Sequence, residues 1–282
     1  MKKVVIALTV TLFLLGCDGD KLEERQSFEQ QFNQAKELFQ NGQYAKAESI
    51  MLKVLDGFQG LPDSAKDKEA HVRYIGLLAE ISLESGEGDP IGYANEILSL
   101  SDEGEDEAFA YKVLGHGYFN LELFKKAQEF FEKALPLSLE AYGPSHLEVA
   151  ELYLFIGNSI LGDFDSPENL QNLISGFSRE KTEDYDKSWN AIVEKSFVAK
   201  KFFNKCLEIT EVKTNSEDAR LFSIAAYVGL GKACYFSQEK REGKQHFNQA
   251  ERLLENELAL DPNNEGLLIF KQLLDLQLLI FN

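Results

Sequence analysis

The feature that most constrains this chain is a pairing of small residues with aromatic ones at helical spacing, clearest between Ala108 and Gly143. Tyr111, Leu114, Gly115 and Tyr118 follow one another at spacings of three, one and three. That spacing puts large apolar groups and one small residue on a single helical face. After a polar turn, Ala127, Phe131 and Ala134 do the same for a second helix. Ala127 is the small residue that lets two backbones approach closely, and Phe131 one turn later fills the gap. Two short helices of this kind cannot bury both faces alone and need neighbours built to the same plan.

The small-residue position returns at Ala35, Gly76, Gly115, Gly157 and Gly231, with spacings of 41, 39, 42 and 74. In the first unit of the series Phe32, Ala35, Leu38 and Phe39 share a face, Asn41-Gly42 turns, and Tyr44, Ala47 and Met51 open the second helix. Leu61-Pro62-Asp63 marks the junction. The next unit has Val72, Ile75, Gly76 and Ala79, then ESGEGDP at 84–90, which reads as a long loop before Tyr93, Ala94 and Ile97. At the junction near 143, Gly143-Pro144 breaks the helix, and Ser145 with Glu148 spells a capping box for the one that follows. The fourth unit has Tyr153, Ile156, Gly157 and Ile160, but its second helix shows only at Ala199, Phe203 and Cys206. The fifth has Tyr227, Leu230, Gly231 and Cys234, then Gly243, Phe247 and Ala250, and Asp261-Pro262 stops it.

The outlying spacing of 74 marks an insertion at 162–194. Ser166-Pro167-Glu168 opens a short helix there. Trp189, Ile192, Val193 and Phe197 then run in helical register into Ala199, so the fourth second helix is expected to begin early and to carry the only tryptophan. Trp189 either packs the insert against the array or anchors a partner.

These residues resemble the tetratricopeptide repeat, W-x2-L-G-x2-Y followed by A-x3-F. The longer period and the phrase LEAYGPSHLEVA at 139–150 are similar to the long variant found in kinesin light chains. The resemblance implies an all-α fold: a right-handed superhelical solenoid of about five helix–turn–helix repeats over 28–262, closed by a C-terminal helix at 263–282. That last segment contains LLIFKQLLDLQLLIF, whose only polar strip is Lys271, Gln272 and Asp275. It is too apolar for a comfortable terminal cap and too short to span a bilayer. It either tucks into the superhelix or seals against another protein or copy.

The resemblance also implies a binding groove lined by the first helix of each repeat. Carried over position by position, the inward residues are Phe32, Lys36, Arg73, Lys112, His116, Asn158 and Lys232, with Phe119 and Tyr235 one turn beyond. Cations gathered on one face suit an extended peptide or tail bearing carboxylates, whose attraction low-dielectric walls would focus. The alternative is that they are ordinary solvated side chains.

Charge narrows the partner class. Lys and Arg number 29 against 47 Asp and Glu, a formal net charge of −18. A surface this acidic repels phosphate backbones, which excludes nucleic acid. At the N-terminus Lys2 and Lys3 precede an apolar run, Val4 to Leu15. As a helix it reaches only about 18 Å, so it reads as a signal peptide. Leu14-Leu15-Gly16-Cys17 resembles a bacterial lipobox, which implies a leader at 1–16, a lipidated Cys17 and a short tether at 17–27. More than one acyl chain holds a protein stably at a membrane. Asp18 is similar to the inner-membrane retention signal of enteric-type bacteria; the outer membrane stays open.

No chemistry is legible. Cys17, Cys206 and Cys234 form no CxxC pair and no zinc set, so neither metal nor cofactor is expected. Cys206 and Cys234 fall on neighbouring helices and are either bridged in an oxidising compartment or small buried thiols. His71, His116, His146 and His246 make no HExxH, and the chain has no GxSxG or Walker run. The expected function is therefore non-enzymatic: a membrane-anchored periplasmic scaffold that binds another envelope protein or an extended peptide. A peptide- or ligand-binding carrier and a regulatory subunit of an envelope enzyme are the alternatives.

Overall fold

The structure is a computed structural model that describes residues 26–62, 66–101, 104–162 and 183–281. The expected leader, the lipid site at Cys17, Asp18 and most of the insertion lie outside these residues. Every regular element among the described residues is a helix. The chain divides into two compact units, Met1–Val113 and Leu114–Asn282, with the boundary inside one continuous helix.

The first unit holds α1 (26–40), α2 (Tyr44–Gly60), α3 (Lys68–Ser85), α4 (Pro90–Leu100) and the start of α5 (Glu105–Asn120). Its core is Met51, Phe58, Tyr74, Ile75, Leu78, Ile81 and Ile97. At the α1–α2 turn the Leu38 and Phe39 carbonyls accept from the Gln43 and Gly42 N–H groups, and Gly42 takes the left-handed φ of +69° that this closure needs. The break after α3 is shorter than the sequence suggests. Glu84 and Ser85 complete α3, and only 86–89 separate the helices. Asp89 accepts from the Gly92 N–H at 2.8 Å, and Pro90 supplies the preset φ of a first helical residue. A local cap thus restarts the chain after a short break at 86–89.

The second unit holds the rest of α5, then α6 (Phe124–Tyr142), α7 (Leu147–Gly162), α8 (Glu183–Thr210), α9 (Glu217–Phe236), α10 (Lys240–Leu260) and α11 (Glu265–Phe281). The small–aromatic pairing is its packing rule. Phe131 lies against Gly115, and Phe247 against Gly231, where an added Cβ would stand 2.7 Å from the ring. Phe203 lies against both Gly157 and Gly229, so one ring fills the gap between two neighbouring first helices. The turns repeat as well. At α5–α6 the left-handed position is Glu122, and at α9–α10 it is Gln238, with carbonyls of Tyr118 and Cys234 accepting as Leu38 does.

Two local expectations meet different outcomes. α8 does begin early, at Glu183, and carries Trp189, which is half-buried. The capping box does not form with Ser145. That residue sits in the turn, and His146 Nδ1 accepts from the Glu148 N–H at 3.2 Å. The helix starts at Leu147, so His146 and not Ser145 stands at the cap position.

Of the two fates for the terminal helix, the structure shows tucking. Leu274 is buried with Ile224, Phe247, Ala250 and Leu254, flanked by Leu267, Phe270 and Leu278. Burying such side chains contributes roughly 1.5–3 kcal/mol each. Leu268, Ile269, Leu273, Leu276 and Leu279 remain exposed.

Candidate functional site

In the first unit the residues expected to face a groove form a compact cluster on α1 and α3. Phe32 packs on Tyr74 with ring centroids 5.5 Å apart, and the Arg73 guanidinium lies 5.4 Å above the Phe32 ring. Arg73 also donates to the Glu29 carboxylate at 2.6 Å. The same carboxylate accepts from the Tyr74 hydroxyl, and burial together with that bond raises the phenol's pKa. Lys36 is exposed, and the Lys112 ammonium stands 6.0 Å from the Phe109 ring.

In the second unit α5, α7, α9 and α11 enclose a cavity of about 470 Å³. Phe119 on α5, Asn158 on α7 and Lys232 on α9 line it, as the positional reading expects for first helices. Phe124, Leu161 and Phe270 add apolar wall, and Asn120, Gln277 and Glu122 add polar groups. Lys232 therefore shares the space with a carboxylate. His116 does not point into this cavity. It is half-buried, 3.1 Å from the Glu151 carboxylate on α7, with its ring edge-on to Phe131 and Phe155. Tyr235 lines a separate small crevice beside Leu278 and Lys240.

The inward cation set is thus partly matched by carboxylates that its own reading overlooked. Glu29 answers Arg73 and Glu151 answers His116, each from a neighbouring helix. What the second unit offers instead is a mixed recess of rings, amides and one lysine. A peptide main chain, with its paired donors and acceptors, is matched by such amides.

Cys206 and Cys234 are not joined; both thiols are free and buried. Burial pushes Cys206 up to about 12 and Cys234 up to about 11. Cys234 belongs to a cluster invisible in the spacing of the cysteines. The Lys200 ammonium on α8 donates to Glu239 at 2.7 Å and to Glu242 at 3.1 Å. Its hydrogen bonds hold both carboxyls below the usual range. Burial opposes the charge on Lys200, but the bonds to Glu239 and Glu242 outweigh it and the pKa rises. His246 completes the group, one turn from Glu242 on α10. The only signal in the sequence is that E-x3-H spacing, because the remaining members come from other helices.

Comparison with known proteins agrees with this architecture. The tetratricopeptide repeat model matches residues 110–138, within the stretch that carries the clearest small–aromatic pairing. No curated protein matches. Among solved structures, BtubC (BKLC) from P. vanneervenii is similar with a TM-score of 0.57 and 18% identity, over 80% of this chain and 78% of that one. A Podosopora anserina kinesin-light-chain structure of nearly identical TPR-like repeats is similar with a TM-score of 0.54 and 10% identity, over 82% and 96%. The fold is a tetratricopeptide-type helical repeat. At these identities the likeness speaks to the fold alone.

Proposed function

We propose that this protein is a membrane-anchored adaptor that binds a segment of another envelope protein in the recess of its second unit. The observation that carries the reading is the cavity of about 470 Å³ among α5, α7, α9 and α11. Its volume falls within the range of roughly 300–1,000 Å³ that binding pockets occupy. Rings on its walls give a segment apolar contact, the amides of Asn120, Asn158 and Gln277 can pair a main chain, and Lys232 can meet a carboxylate. Binding, and not catalysis, is what such a set of groups does well.

The anchor rests on the sequence at Leu14–Cys17, which supports a lipid on Cys17 at the periplasmic side of a membrane. Asp18 favours the inner membrane in enteric-type bacteria. The tether to the first helix is short, at most about 35 Å for ten extended residues, so the partner is expected close to the bilayer.

Crosslinking the protein in native membranes, followed by mass spectrometry, tests both parts. The adaptor reading expects one discrete protein partner joined through Lys232 or its neighbours, and an acylated Cys17 at the mature N-terminus. Capture of no macromolecule, with thermal stabilisation by short peptide fractions, would replace it with the carrier reading through ligand linkage.

A further inference from the structure

We propose that Cys234, Glu242 and His246 form a binding site for a thiophilic divalent cation, zinc in the first instance. Their ligating atoms, a thiol sulfur, a carboxylate oxygen and an imidazole nitrogen, all lie within 4.8 Å of one another. Three protein ligands of these types with a fourth position open to water is a recurrent arrangement for zinc. In a closed tetrahedral site the donors stand about 3.5 Å apart, given bond lengths of about 2.0–2.3 Å. The donors therefore have to close by about 1 Å to reach that geometry.

The helices are already pressed together at this point. Gly243 brings the α10 backbone against α9 so tightly that an added Cβ would stand 3.0 Å from the Gly231 carbonyl oxygen and 3.2 Å from Cys234 Cβ. Glu242 and His246, one turn apart, present their donors on the same face of α10. His246 Nε2 already stands 3.6 Å from Glu242 Oε1.

The cluster is already built around a cation: Lys200 Nζ stands 2.7 Å from Glu239 Oε2 and 3.1 Å from Glu242 Oε1. A zinc ion displaces the thiol proton on binding, Cys234–SH + Zn²⁺ giving Cys234–S–Zn⁺ + H⁺. Lys200 then leaves Glu242 to the metal and stays on Glu239, which already holds it more closely. Lys200 is the metal's competitor for Glu242.

The test is titration of the full chain carrying Cys17→Ser with cobalt(II), a spectroscopic stand-in for zinc, under a phosphine reductant. The expected result is a thiolate-to-cobalt charge-transfer band saturating at one metal per chain, with release of one proton. Cys206→Ser keeps the band, Cys234→Ser loses it, and His246→Gln weakens binding by at least about tenfold, since even the outer-shell partner of a metal ligand is worth that much. Lys200→Met tightens binding by removing the competitor. Zinc displaces the cobalt band at one equivalent. Absence of the band at stoichiometric cobalt, its survival in Cys234→Ser, or looser binding in a natively helical Lys200→Met variant would overturn the assignment.

Discussion

The packing rule can be tested by a mutant cycle on Phe203 and Gly157. Phe203 is fully buried, and its ring presses on Gly157 and Gly229 of two different first helices. Phe203→Ala removes the ring and leaves a void, a change that costs about 3–5 kcal/mol. Gly157→Ala acts in the opposite sense. Its new Cβ would stand 2.6 Å from Phe203 Cε1, closer than side chains tolerate, and Gly229 on the other side blocks the ring from retreating. Overpacking of this kind costs about 1–3 kcal/mol, offset by about 1 kcal/mol from alanine's better helix propensity. In the double variant the added methyl falls into the void, the clash disappears and the propensity gain remains. The pair should therefore be less destabilised than Phe203→Ala alone, with a coupling of about 1–3 kcal/mol. Urea unfolding followed by Trp189 fluorescence reads the cycle, since the only tryptophan lies on α8 with Phe203. Additivity within about 0.5 kcal/mol would show that the ring and the glycine do not contact as described, and the small–aromatic rule would fail.

Three further outcomes follow from local geometry. Gln238→Gly should raise stability by up to about 1 kcal/mol in thermal melts, because Gln238 holds the left-handed φ of +65° that Gly42 takes without strain. Leu274→Asp should release α11 from Ile224, Phe247 and Leu254 and make 265–281 the first segment cut in limited proteolysis, with α5–α7 unaffected. His71 lies against Phe58, and burial, opposed by Glu96 and reinforced by Lys66, lowers its pKa below 6.5. The unfolded chain then binds protons more readily than the folded one as pH falls below about 6.5, so stability declines in that window and is constant above it. His71→Gln should flatten the decline in melts taken from neutral to mildly acidic pH.

The helix pairs were legible because each repeat states its own packing. Gly115, Gly157 and Gly231 announce their close approaches, and Ala127, Ala199 and Gly243 precede the Phe that fills each one. The early start of α8 was legible in the unbroken period from Trp189 to Ala199. Local chemistry misled at single-residue resolution. Ser145 and Glu148 fit a capping box on paper, yet the helix starts at Leu147 and His146 takes the cap. The candidate recess was half legible. Position on a first helix was enough to bring Phe119, Asn158 and Lys232 to one cavity. It was not enough for Arg73 or His116, whose carboxylate partners Glu29 and Glu151 come from other helices. The cluster at Cys234 was hidden for the same reason, as Lys200, Cys234 and Glu242 each sit on a different helix.

The most direct test of the adaptor account is residue-resolved photo-crosslinking in the native cell. A photoreactive side chain placed at Asn158, inside the cavity, is compared with one at Glu129, on an exposed part of α6 where its carboxylate pairs with Lys133 one turn away. The account predicts that Asn158 yields a single discrete protein adduct that weakens when Lys232 is reversed to Glu, while Glu129 yields none. Equal adducts at the two positions, or an Asn158 adduct indifferent to Lys232, would contradict it.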